Sequence, residues 1–180
     1  MIKLFARLIS PLLENALVLR VRRNHALEHA TIHMLNRQHY RLSGRASLRG
    51  FVVIGDVPTD KVESAAREAL KRLQKGESKL AIHPNCGTNL VTAGLITTSI
   101  AAVGFTNTNR KSAWERFPMV MVLMMIAALY SQPIGMVVQE YITTSGDPGT
   151  MEIVTVKRSS MRLPFRKNGI QVHQIMTHNG

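Results

Sequence analysis

Two stretches without a charged residue, Leu90 to Thr106 and Phe117 to Gln139, set the terms for this 180-residue chain. The second is long enough to cross a hydrocarbon layer of about 30 Å, and the first, at roughly 17 residues, sits at the lower limit. A soluble domain of this size could hardly enclose both, so the pattern predicts a transmembrane helical hairpin over residues 90–142 rather than two helices buried in a soluble core. In the first stretch Ala93, Thr97 and Ala101 recur every four residues, as do Gly94, Thr98 and Ala102, a spacing that suits close helix packing in lipid. The second is rich in methionine and carries Pro133 and Gly135, which predicts a kink.

The formal net charge of +12 is placed accordingly. Fifteen Lys and Arg residues precede the first stretch and five follow the second, against Arg110, Lys111 and Arg116 in the connection. By the positive-inside tendency both termini face the cytoplasm and the connection faces out. Trp114 with Tyr130 or Tyr141 would mark the interfaces. The bilayer accounts for the basic charge without a polyanion. The cations are scattered rather than interleaved with aromatics, and no helix-turn-helix, zinc-finger or single-strand-binding signature occurs, so nucleic acid is not expected as a partner. The single cysteine, Cys86, excludes an intrachain disulfide.

At the start, residues 1–10 place Leu4, Phe5, Leu8 and Ile9 on one face, with Lys3 and Arg7 elsewhere. This reads as an amphipathic helix lying in the membrane interface, or as a helix packed on the protein's own core. Ser10-Pro11 opens a helix that no Gly or Pro interrupts until about Gln38, with Arg20, Arg22 and Arg23 clustered in its middle. Residues 41–45 read as a turn, 48–57 as a buried strand, Pro58 to Lys75 as an amphipathic helix stopped by Gly76, and 79–83 as a second short strand. Beyond the hairpin, residues 151–157 and 169–176 alternate as antiparallel strands, joined by a basic connection over 158–169. The expected fold is α+β: a small cytoplasmic domain with a mixed or antiparallel sheet and two helices, its first part 11–89 and its completing strands 143–180, interrupted by the membrane hairpin.

Chemistry concentrates in two patches. His25, His29 and His33 recur every four residues, so a helix puts all three imidazoles on one stripe with neighbouring Cβ atoms about 5–6 Å apart. Two such rings can share a divalent ion. Glu28 beside His29 completes His-x-x-Glu-His, the order in which a zinc protease uses the Glu as general base. The second patch, residues 83–89, sets His83 and Cys86 at a two-ligand spacing on a turn. If the patches meet, His25, His29, His83 and Cys86 form a tetrahedral zinc set. Four protein ligands make a closed structural site; three leave a position where water is acidified for attack on a carbonyl, with Glu28 as base. A second enzymatic reading makes Cys86 a nucleophile with His25, His29 or His83 as its base. A third is non-catalytic: histidines near a membrane ligate haem or a pigment, or brace a subunit. The ordinary alternative is a set of hydrogen-bonded core histidines and a turn that satisfies its own backbone.

The His-Ala-Leu-Glu-His-Ala-Thr run at 25–31 and the His-Pro-Asn-Cys-Gly-Thr-Asn run at 83–89 resemble the signature of an uncharacterised family of small bacterial two-span membrane proteins, found in photosynthetic bacteria among others. The resemblance extends from about residue 20 to 157 and includes Gly-Asp-Val-Pro at 55–58. It implies a bacterial integral membrane protein and carries no activity. The five residues from His25 to His29 are also locally similar to inverted zinc proteases, which take a further acidic ligand from a later helix; Glu63 and Glu68 are the analogues here. The resulting expectation is a membrane protein with a zinc site, in its sharpest form a membrane-anchored metallohydrolase. The alternative is an accessory or assembly subunit of a larger photosynthetic or electron-transfer complex, with a membrane-protein partner or a second copy of itself.

Overall fold

A computed structural model describes residues 2–161 and 169–179. Among them are six α-helices and four strands: α1 (Ile2–Leu8), α2 (Ser10–Leu13), α3 (Ala16–Asn36), β1 (Ser43–Ser47), β2 (Gly50–Ile54), α4 (Thr59–Gln74), α5 (Gly87–Gly104), α6 (Arg110–Val138), β3 (Glu152–Met161) and β4 (Ile170–His178). The class is α+β, and the sheet is antiparallel throughout, in the order β1-β2-β4-β3. The chain divides into two compact units, residues 1–83 with 140–180, and residues 84–139.

In the first unit the sheet is covered on one face. Phe51 stands opposite Ile175, and Val53 opposite His173, so these four side chains share the covered face. Above them lie Leu27 and Leu35 of α3 and Val62, Ala66 and Leu73 of α4, all buried. Helix α4 forms as its periodicity requires: Val62, Ala65, Ala66, Ala69, Leu70 and Leu73 face inward, Asp60 lies in the first turn and Lys71 and Arg72 in the last, each at the dipole end it favours. Helix α3 is different. From Ala26 to Ile32 every residue is buried, so the helix is enclosed on all sides there.

Four local expectations give way. The helix expected from Ser10 to Gln38 breaks after Leu13, because the Asn15 side chain caps α3 by accepting from the Leu17 N–H at 3.1 Å. Residues 43–47 form β1 instead of a turn; their intrinsic strand preference is weak, but pairing with β2 across Leu48-Arg49 decides the matter. The strand expected at 79–83 is a 3₁₀ turn, Ser78–Ala81, whose backbone bonds close locally, Leu80 N–H donating to Glu77 C=O at 3.1 Å. Strand β3 runs on to Met161, so the basic connection begins later than expected; Pro164 lies outside the described residues.

In the second unit α5 and α6 pack as a pair. The helices approach closely at Gly135 of α6, where a Cβ would collide with the Asn89 side chain, and at Gly104 of α5, where it would collide with Val120. Gln139 Nε2–H donates to Asn89 Oδ1 at 2.8 Å, and Asn89 Nδ2–H donates to Pro84 C=O. Hydroxyls along α5 bond back into their own helix: Thr92 to Thr88 C=O at 2.8 Å, Thr97 to Ala93 at 2.8 Å and Ser99 to Leu95 at 2.7 Å. Their polar groups are thereby satisfied without water. Both helices are long and apolar enough to cross a membrane, the second counted through Thr143.

Candidate metal centre

Helix α3 carries the first ligand patch. The rings of His25 and His29 lie edge to face with centroids 4.3 Å apart, as four-residue spacing on a helix dictates. Each ring is oriented by a backbone carbonyl. His29 Nδ1 is 2.7 Å from Ala81 C=O, and His25 Nδ1 is 3.0 Å from Thr143 C=O. A carbonyl only accepts, so both Nδ1 atoms carry the proton, and in the neutral rings the lone pair sits on Nε2. This is the arrangement that metal-binding histidines use, with the second nitrogen fixing tautomer and angle.

The two carbonyls are themselves held. Ala81 belongs to the 3₁₀ turn Ser78–Ala81 beneath α3. The segment carrying Thr143 is clamped by the basic cluster of α3: Arg22 donates to Tyr141 C=O at 3.3 Å and Thr144 C=O at 2.9 Å, and Arg23 Nε–H donates to Asp147 C=O at 3.1 Å. Arg22 and Arg23 therefore brace the site instead of forming a free basic surface. Asn24 contributes likewise, donating to Ser47 C=O at 2.8 Å and accepting from Thr177 Oγ1–H at 2.6 Å, which fixes α3 against β1 and β4.

Of the ligands proposed from the sequence, His25, His29 and His83 belong to the first unit and Cys86 to the second. Cys86 is buried and N-caps α5, its Sγ accepting from the Thr88 N–H at 3.4 Å. The His83 ring lies 5.8 Å from that of His29 and 6.0 Å from that of His33. Asn36 Nδ2–H donates to His83 Nε2 at 3.3 Å, and burial, with His33 nearby, lowers its pKa. Glu28 is buried with its carboxylate against β1, where a Cβ on Gly44 would stand 2.5 Å from Oε1; only a glycine there leaves it room. Glu63 is hydrogen-bonded to Arg67 on α4 and Glu68 is exposed, so neither analogue of the further acidic protease ligand joins the histidines.

Three features of this site carry no sequence signature. The carbonyls of Ala81 and Thr143 belong to residues whose identity says nothing about their role, and the Asn24 bonds depend on partners far along the chain.

Comparison with known proteins adds the lineage but not the chemistry. The chain matches a domain of unknown function, DUF6391, over residues 20–156, and so belongs to that family. An uncharacterised protein of the cyanobacterium Picosynechococcus sp. is 39% identical over 95 residues, covering 47% of this chain and 46% of that protein, so the match spans about half the length of each. No solved structure matches.

Proposed function

We propose that this DUF6391 member is a membrane-anchored metalloprotein holding one divalent ion, zinc by the nature of its donors, through His25 Nε2, His29 Nε2 and Cys86 Sγ. The observation that carries this reading is the pair of Nδ1–H bonds to carbonyls, which leave the Nε2 lone pairs of two adjacent imidazoles for a ligand. Two nitrogens and a sulfur favour zinc over magnesium or calcium.

His83 divides the reading in two. Turned onto the ion it would complete a closed, structural His₃Cys site. Held by Asn36, it leaves the fourth position open, and an ion there would supply Lewis acidity for hydrolysis, with Glu28 as base once its carboxylate turns from β1 toward the ion. The bond to Asn36 favours the second version, a membrane-anchored metallohydrolase.

Elemental analysis of protein purified without chelator tests the site. One zinc per chain is expected, lost in the His25→Ala, His29→Ala double variant and restored by neither added zinc nor cobalt. In cobalt-loaded wild type, thiolate-to-metal absorption should disappear with Cys86→Ser. Glu28→Gln should keep the ion and abolish turnover if the hydrolase version holds; retention of turnover ends that version. A chain that purifies metal-free and takes up neither metal ends the whole reading. The alternative, an accessory subunit, draws on the exposed row Gly94, Thr98 and Ala102 of α5, a face small enough for another helix to approach. Copurification with a larger membrane protein, in a metal-free chain, would favour it.

A further inference from the structure

The N-terminal helix buries only Ala6. Leu4, Phe5 and Leu8 are 72%, 54% and 79% exposed and line an open apolar groove of about 630 Å³, with Arg7 at its side. The apolar face of the helix is thus open among the described residues. A second groove, of about 390 Å³, adjoins it through Arg7 and is lined by Lys3, Arg7, Ser10, Glu14, Arg22 and Tyr141, three cations against one carboxylate. An apolar face sharing an edge with a cationic groove is an amphipathic arrangement, and its complement is a molecule with an anionic head and a hydrocarbon tail.

The position of the helix supports that complement. Lys3 Nζ lies 5.1 Å from the centroid of the Tyr141 ring, and the contact with Tyr141 raises the Lys3 pKa, so the ammonium stays charged. Tyr141 lies in the π turn that ends the long apolar helix from Arg110 to Thr143. If that helix crosses the bilayer, its last turn stands at headgroup depth, and α1 is held there with its apolar side chains uncovered. Arg22 forms the fixed wall of the groove. Its guanidinium is already anchored by carbonyls of Leu13, Tyr141 and Thr144. Lys3 and Arg7, both exposed, are the cations that can close on a phosphate.

We propose that α1 and the adjoining groove form a binding site for one anionic phospholipid, with Lys3 and Arg7 on the headgroup phosphate and Leu4, Phe5 and Leu8 along an acyl chain. The site does not depend on the ion at His25 and His29. A protein partner would have to match both grooves; a lipid already combines the two.

The test uses the full chain in a non-ionic detergent, with Phe5→Trp as reporter in a Trp114→Phe background, Trp114 being the sole tryptophan. Short-chain phosphatidylglycerol, short-chain phosphatidylcholine and inorganic phosphate are titrated separately. Each surface cation contributes about fivefold to binding an anionic lipid, so phosphatidylglycerol should saturate the reporter at about thirtyfold lower concentration than phosphatidylcholine. Lys3→Gln with Arg7→Gln should abolish that preference and leave the zinc content unchanged. Equal response to the two lipids overturns the proposal, as does an unchanging reporter. An equal response to inorganic phosphate alone also overturns it, by assigning the groove to a free anion.

Discussion

Helices α4 and α5 are nearly the same length, 16 and 18 residues, and they are built inside out with respect to each other. Helix α4 buries Val62, Ala65, Ala66, Ala69, Leu70 and Leu73 and gives its charges to the surface. Helix α5 buries Asn89 and Thr92 and exposes Leu90, Val91, Leu95 and Val103. Apolar side chains are driven together only where the alternative is water. In hydrocarbon that drive vanishes, and contact goes to small residues and to polar groups that need partners. Leucine inside one unit and asparagine inside the other is what that rule gives if α5 crosses a membrane, as proposed above.

The sharpest way to break this contrast is a matched pair of truncations. Phe51, at 1% exposure on the covered face of the sheet, should lose about 3–5 kcal/mol on Phe51→Ala. Leu129 of α6, at 78% exposure, should lose no more than about 0.5 kcal/mol on Leu129→Ala in detergent. Thermal unfolding of the two variants, followed by circular dichroism, decides between them. If Leu129→Ala costs as much as the core substitution, α6 has a tight partner in the purified state, and the exposed face is no lipid surface.

A charge at the same position sharpens the comparison. Leu129→Lys should raise the insertion free energy by about 2.5–3.5 kcal/mol if the residue meets hydrocarbon at mid-span. Lysine is harmless at such exposure on a water-facing helix, within about 0.5 kcal/mol. A glycosylation-tagged insertion assay reads the difference, and unchanged insertion would return α6 to an aqueous setting.

What could be read from the residues follows the same division. The uncharged runs, the stripe of α4 and the alternation of β3 and β4 were legible because each is a periodic response to one solvent boundary. Ser43 to Ser47 had no such period, and it became a strand only through a neighbour, as Lys79 to His83 lost its strand for want of one. For the candidate site, the facing of His25 and His29 follows from helix geometry alone. The carbonyls of Ala81 and Thr143 and the turn of Glu28 toward Gly44 arise from tertiary packing, for which spacing along the chain holds no record.

His173 shows the same limit inside the core and supplies the smallest of the expected effects. The alternation of β4 puts it on the face of Ile175, and the structure encloses it completely, with neither ring nitrogen in a hydrogen bond of ordinary geometry among the described residues. Burial pushes its pKa below the usual value; the Val57 backbone opposes that shift and Arg158 adds to it. Since the folded pKa lies below the unfolded one, near 6.5, the unfolded chain takes up a proton first as pH falls. His173 therefore supports the fold above about pH 6.5 and destabilises it progressively as pH falls from there toward its lowered folded value. His173→Leu, an apolar replacement among Val53, Val57 and Ile175, should leave stability at neutral pH equal or higher and flatten its decline between neutral and mildly acid pH. The decline should not vanish, because the buried His83 shifts in the same direction. Denaturant midpoints measured across that range check the slope. A variant as acid-sensitive as the wild type would mean that the enclosed imidazole finds a partner in solution, and that this polar group in the apolar layer is not the exception to the contrast that it looks to be.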